Sequence, residues 1–160
     1  MAAEIIDGKA ISQTVIEEVS AKIKETGIVP HLVAVQVGED PASLYYVRSQ
    51  KKKAEAVGMR YTFTQLHENT TQEELIAKIE ELNNDPDVTG IILQMPLPKH
   101  MDRRAVQRHI DYRKDVEGIT PTSLGLLLQD ITAMPKRTPS VQIRTPGTLC
   151  LLYTSPSPRD

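Results

Sequence analysis

Two short apolar runs, Leu32–Val37 and Gly90–Gln94, constrain this chain more than any other feature. The first is rich in β-branched residues and bounded by Pro30 and Gly38, so it reads as a buried strand. The second, Gly-Ile-Ile-Leu-Gln, reads the same way and is broken by Pro96 and Pro98, which cannot continue a ladder. Helical patterns surround them. Ile11, Val15, Ile16, Val19 and Ile23 recur at steps of three and four, which predicts an amphipathic helix over 10–24, stopped by Gly27 and Pro30. A second helix is expected over 42–57, ended by Gly58, and a further strand over 61–64. Thr71 with Glu74 forms a capping box that opens a helix to about Leu82. Asn83 to Pro86 close that helix, and Asp102 is placed to cap another reaching about Ile110.

Strands alternating with helices indicate βαβ units with right-handed crossovers. The expected fold is therefore α/β: a three-layer sandwich with a mainly parallel sheet flanked by helices. In such sheets ligands gather past the carboxyl ends of the strands, here 38–43 and 94–98. A length of 160 residues suits one domain with a real core. Past about Leu128 the pattern fails, because Pro135, Pro139, Pro146, Pro156 and Pro158 interrupt every periodic segment. The expected organisation is a domain over 1–128 and an irregular tail over 129–160 foreign to that domain, with Cys150–Asp160 reading like translated sequencing-adapter read-through.

Composition narrows the partners. The 19 basic and 21 acidic residues leave a formal charge of -2, which is no signature of a nucleic-acid binder. No run approaches the roughly 18 to 20 apolar residues of a membrane span. The start, Met1–Asp7, has no signal-peptide layout, so a cytoplasmic location is expected. The single cysteine, Cys150, cannot form an internal disulfide, and no Cys/His cluster offers metal-ligand spacing. A small-molecule partner, with neither nucleic acid nor membrane, fits best.

Four stretches taken in order are specific: Ile6–Ala10, Val37-Gly-Glu-Asp-Pro-Ala-Ser43 leading into Tyr46-Val47, Gly90-Ile-Ile-Leu-Gln-Met-Pro-Leu-Pro98, and Lys114-Asp-Val-Glu-Gly118. Over residues 4–128 the chain resembles the bifunctional methylenetetrahydrofolate dehydrogenase/methenyltetrahydrofolate cyclohydrolase family, in its N-terminal, folate-binding part. The resemblance implies oxidation of 5,10-methylenetetrahydrofolate to the methenyl form with NADP, or NAD in some members, and in many members hydrolysis to 10-formyltetrahydrofolate. Such a substrate needs an aromatic face for its rings, orienting hydrogen bonds and a proton-handling group beside the one-carbon bridge.

The resemblance assigns roles residue by residue. Tyr46 matches the tyrosine on which the folate stacks, and Gln94 the glutamine that contacts the one-carbon centre. Val47, Leu93, Met95 and Pro96 flank them as substrate-binding residues, and Asp115 with Glu117 match the acids that position the pterin. Independently, a carboxamide ending a buried strand is out of place unless something pairs with it. The plainer readings are a core tyrosine, a solvent-turned strand-end glutamine and a loop or cap carboxylate; the surrounding motifs weigh against the first two.

Two positions depart from the family pattern. Four residues after Tyr46, where bifunctional members carry a proton-shuttling lysine, stands Gln50. A neutral amide has no titratable proton near pH 7, so it can orient a substrate but cannot act as acid or base, and the cyclohydrolase step is placed in doubt. Lys53 lies a further turn away, about 5 Å along the helix, and Lys51–Lys53 read as a solvated face. Glu117 replaces the usual aspartate and carries its carboxylate one methylene further out. No glycine-rich phosphate-binding turn occurs, so no nicotinamide site is expected here. The intact parent is expected to pair as a homodimer. The runner-up reading is a catalytically silent folate-binding fragment; a blander one, an α/β interaction domain with no ligand, predicts no ligand-induced stabilisation.

Overall fold

The computed structural model describes residues 7–128. The expected tail, residues 129–160, and the first six residues of the chain lie outside the described part. Eight elements follow in order: α1 (Gly8–Thr26), β1 (His31–Val37), α2 (Pro41–Val57), β2 (Arg60–Leu66), α3 (Gln72–Asn84), β3 (Gly90–Leu93), α4 (Arg103–Gln107) and α5 (Pro121–Leu128). The strands form one parallel sheet in the order β2-β1-β3. The mixed α/β class and the parallel sheet follow the sequence reading.

Alternation along the strands sorts their side chains into two faces. Val33, Val35 and Val37 of β1 and Ile91 and Leu93 of β3 join Leu75, Ile79 and Leu82 of α3 and Val106 of α4 in the main core. Ala34 and Gln36 point the other way, toward α2, and are at most 1% exposed. On that second face the register sets Tyr61 beside Leu32, Phe63 beside Ala34 and Gln65 beside Gln36. Val47, Ala54 and Val57 of α2 are buried there, and α1 leans on α2, with Ile23 near the Gly58 turn. Helices therefore cover both faces, as the three-layer expectation requires.

Local chemistry explains the helix ends. The Asp7 carboxylate caps α1 by accepting from Lys9 N–H and Ala10 N–H at 3.0 and 3.1 Å, so the helix opens at Gly8, two residues before the expected start at 10. Only Ile23 of that stripe is fully buried, and Ile11 stays 46% exposed, because α1 meets its neighbours at one end. The capping box of α3 forms as read, with Thr71 and Glu74 satisfying each other's backbone N–H.

Two boundaries differ most from the sequence reading, and one helix lies where it gave none. Strand β2 extends to Arg60 and Leu66 because it pairs with β1 along its whole length, which outweighs the polar Arg60 and Gln65. Helix α4 stops at Gln107 instead of about Ile110. There Asn83 Nδ2 donates to the His109 carbonyl at 2.6 Å and its Oδ1 accepts from Asp111 N–H at 3.0 Å, drawing both backbone groups away from a continuing helix. Helix α5 opens at Pro121, where a proline loses no hydrogen bond and already has helical φ.

Beyond β3, Ile91 N–H donates to the Lys114 carbonyl at 2.8 Å, and Asp115 forms an isolated parallel bridge with Ile91. This brings the 114–118 loop against the sheet edge. The approach needs glycine at 90: a Cβ there would stand 2.5 Å from Val116 Cγ1 and 3.1 Å from Leu32 Cδ1.

Candidate functional site

Helix α2 and the loop after β3 meet at the carboxyl end of the sheet, and one serine joins them. Asp40 caps α2, its Oδ2 accepting from Ser43 N–H at 2.7 Å. Ser43 Oγ lies 2.7 Å from the same carboxylate oxygen and 2.9 Å from the Met95 carbonyl, so its single proton is shared between the helix cap and the 94–98 loop. The hydrogen bonds from Ser43, side chain first, hold the Asp40 carboxyl below the usual carboxylate range. Past Met95 the chain turns through a cis peptide bond to Pro96.

Within this frame Gln94 is 7% exposed, and its backbone N–H still donates to the Val35 carbonyl, extending the ladder one residue past β3. Its side-chain Nε2 donates to Gln50 Oε1 at 2.9 Å. Tyr61, reaching across from β2, donates its hydroxyl to that same oxygen at 3.0 Å. Burial pushes the Tyr61 phenol up to about 12, so it stays protonated and a donor. One turn before Gln50 on α2, Tyr46 is 54% exposed, with Tyr45 edge-on to it at a ring-centroid distance of 6.1 Å.

Three of the expected residues are thus brought together: Gln50 and Gln94 bond directly, and Tyr46 stands open on the same helical face. Tyr46 is not the core tyrosine of the plainer reading, and Gln94 is not turned to solvent. Val47 and Leu93, at 5% and 2% exposure, are buried supports; strand alternation turns the Leu93 side chain to the α3 face, away from Gln94. Met95 is half-buried against the main core, while Pro96 is exposed in the loop.

The two acids sit in different surroundings. Asp115 is 2% exposed and its carboxylate serves the chain itself. Oδ2 accepts from Thr120 N–H and from the Ser123 hydroxyl, both at 2.8 Å, and Oδ1 accepts from Ile119 N–H at 3.2 Å. It fastens the start of α5, as the cap reading of this residue has it. Glu117 is exposed by surface area, yet its carboxyl is crowded enough by protein that burial, and then the charge of Asp115, push it up to about 7.

Sequence reasoning gave no role to Ser43, Tyr61 or Gln36. Ser43 lay inside a quoted motif, and only the fold shows that it ties two loops together. Tyr61 had one available signal: alternation with Phe63 puts both on a single face of β2. Gln36 is 1% exposed, and its Nε2 donates to the Gly38 carbonyl at 3.3 Å, while its Oε1 has no partner among the described residues.

A parallel α/β sheet with an aromatic ring and a carboxamide cluster at its carboxyl end defines a small-molecule-binding domain. The chain belongs to the tetrahydrofolate dehydrogenase/cyclohydrolase family, whose catalytic-domain profile matches residues 6–117. It is 39% identical over 160 residues to the bifunctional protein FolD of Bacteroides thetaiotaomicron, covering 92% of this chain and 55% of that protein. Among solved structures it resembles the bifunctional FolD enzyme of Campylobacter jejuni, at a TM-score of 0.76 and 38% identity over 83% of this chain and 48% of that one. It also resembles the N5,N10-methylenetetrahydrofolate dehydrogenase-cyclohydrolase of Trypanosoma brucei, solved with NADP cofactor and inhibitor, at 0.72 and 32% over 79% of this chain and 45% of that one. The chain spans about half the length of the curated relatives it matches.

The Bacteroides match covers 92% of this chain and so reaches past residue 128.

A nicotinamide dinucleotide does not fit the described residues. Such a group is normally cradled by free N–H donors at a helix start. Here the starts of α1, α2, α3 and α4 are closed by Asp7, Asp40, Thr71 with Glu74, and Asp102, and Ser123 N–H at the start of α5 donates to Thr120 Oγ1. Four of these five helix starts carry a carboxylate that would repel a phosphate.

Proposed function

We propose that residues 1–128 form the folate-binding catalytic domain of a methylenetetrahydrofolate dehydrogenase. Its substrate would be 5,10-methylenetetrahydrofolate, oxidised to the methenyl form with NADP as hydride acceptor. The observation that carries this reading is the direct Gln94–Gln50 hydrogen bond at 2.9 Å, one helical turn from the open face of Tyr46. Tyr46 stacks the folate rings, and Gln94 and Gln50 orient the one-carbon bridge. Ser43 holds the loop with Met95 and Pro96 against α2, Val47 and Leu93 brace the two elements from within, Asp115 anchors the loop, and Glu117 reaches the polar edge of the pterin.

These residues bind and orient the folate; NADP would be held by residues other than those described. Hydrolysis of the methenyl form to 10-formyltetrahydrofolate needs a titratable group beside the bridge, and Gln50 supplies none. That substitution is the specific ground for the second reading, a catalytically silent folate-binding module. The working location would be the cytoplasm and the working assembly a homodimer.

The test is thermal denaturation of the full chain with and without 5-formyltetrahydrofolate, a stable tetrahydrofolate analogue. A ligand present at a hundred times its dissociation constant and binding only the folded state adds about 2.7 kcal/mol, a shift of several degrees. A rise that Tyr46→Ala abolishes supports the folate site. A midpoint that does not move removes it.

A further inference from the structure

We propose that Tyr61 is a positioning residue for this site: its hydroxyl, with Gln94, holds the Gln50 carboxamide oxygen inward, so that position 50 offers a bound folate N–H donors and no acceptor. The inference rests on the folate reading above and adds to it a residue and a rule of specificity.

A glutamine side chain has one acceptor end and one donor end, and a free one can present either to a ligand. Here Gln50 Oε1 accepts from two donors at once, Gln94 Nε2 at 2.9 Å and the Tyr61 hydroxyl at 3.0 Å, which occupies both of its lone-pair directions. Because the carboxamide is planar, fixing the oxygen fixes the NH2 group. That nitrogen donates to nothing among the described residues, and it is not among their buried atoms without a partner, so it stands open for a ligand.

The two donors come from elements that do not move independently. Tyr61 is held by β2, paired with β1 along its length, and Gln94 by its backbone bond to Val35 of β1. A flexible side chain on α2 is thus set by two rigid strands, one on each side of β1. Such preorganisation spares the ligand the entropy of ordering Gln50. The folate atom facing position 50 must then be a hydrogen-bond acceptor, a carbonyl oxygen or an unprotonated ring nitrogen.

The test is calorimetric titration of 5-formyltetrahydrofolate into the full chain and into Tyr61→Phe, Gln50→Ala, the double variant and Gln50→Glu. Tyr61→Phe keeps the ring and its packing. It is expected to weaken binding about threefold to tenfold, the range of one lost hydrogen bond, and to add no further loss in the Gln50→Ala background. Gln50→Glu keeps an oxygen for both donors but presents only oxygen to the ligand. It is expected to lose at least about tenfold in affinity with its melting midpoint held. In the ligand-free chain, the Gln50 side-chain amide resonance should shift on Tyr61→Phe, which a purely structural Tyr61 would not cause. Independent losses in the double variant, unchanged binding by Gln50→Glu, or an unmoved Gln50 resonance would each overturn the inference while leaving the folate site standing. If the unsubstituted chain does not bind the probe, both the folate reading and this inference fall.

Discussion

The Gln94–Gln50–Tyr61 cluster, which is partly buried, and the Asp115–Ser123 corner, which is buried, are both polar, both set against the same sheet and both dense in hydrogen bonds, yet they differ in what is left over. At the corner, Ile119 N–H, Thr120 N–H and the Ser123 hydroxyl all donate to Asp115. At the cluster, two donors converge on one Gln50 oxygen and leave the amide nitrogen open. A buried polar group whose capacity is used by its own chain holds the fold; one with capacity to spare can hold something else. The distinction separates Asp115 from Gln50 more sharply than burial does.

The largest expected effect lies at the corner. Asp115→Ala removes three charge-assisted bonds and leaves two backbone N–H groups and a hydroxyl without their acceptor, so it should cost about 3 kcal/mol of stability or more. Chemical denaturation measures it, with Gln50→Ala as the comparison. Gln50→Ala should cost under about 1.5 kcal/mol of stability while weakening ligand binding. Equal losses from the two substitutions would erase the contrast.

Next comes the seam between the regions. Gly90→Ala would put a methyl group 2.5 Å from Val116 Cγ1, forcing aside the segment that carries Asp115 and Glu117. An overpacked site of this kind costs about 1–3 kcal/mol, and the same denaturation experiment reads it. Ser43→Ala is smaller, about 1 kcal/mol, because one hydroxyl is lost from a cap whose carboxylate remains. Its informative readout is affinity: with the tie to Met95 cut, 5-formyltetrahydrofolate should bind less tightly although Ser43 is not expected to touch it.

Much of this was legible in the sequence, for identifiable reasons. The strands of the core face were readable because Val33, Val35, Ile91 and Leu93 are apolar whatever their partners. The Thr71–Glu74 box was readable because a cap is a local event. Gln94 stands out as a carboxamide where a strand wants an apolar residue. What could not be read depends on contacts distant along the chain. The end of α4 is set by Asn83, 26 residues before His109. The Ser43 tie spans 52 residues, and the Tyr61 bond joins a strand to a helix through an oxygen that no pattern places. Asp115 and Glu117 are alike in sequence as neighbouring acids of one motif, and only the path of residues 118–120 into α5 turns the first into a cap.

Glu117 gives the smallest effect and the finest test, since it is the acid of that corner with capacity to spare. Its carboxyl is raised to about 7 from 4.5, chiefly by burial and secondarily by Asp115, so the folded chain holds a proton there that the unfolded chain gives up. The sign follows from proton counting: where the folded state binds more protons, stability falls as pH rises, here across the window from about 4.5 to 7. Glu117→Gln should flatten the melting midpoint across that window, and because solvent reaches the residue the change should be modest. Ligand binding should run in the opposite direction. N–H donors of a pterin edge stabilise the ionised carboxylate, so affinity for 5-formyltetrahydrofolate should rise as pH passes upward through 7, and Glu117→Gln should remove that part of the dependence. Calorimetric titrations at several pH values separate the two effects. An unchanged pH profile in the variant would mean that the proton of Glu117 is not linked to the ligand, and the corner would then be structural throughout.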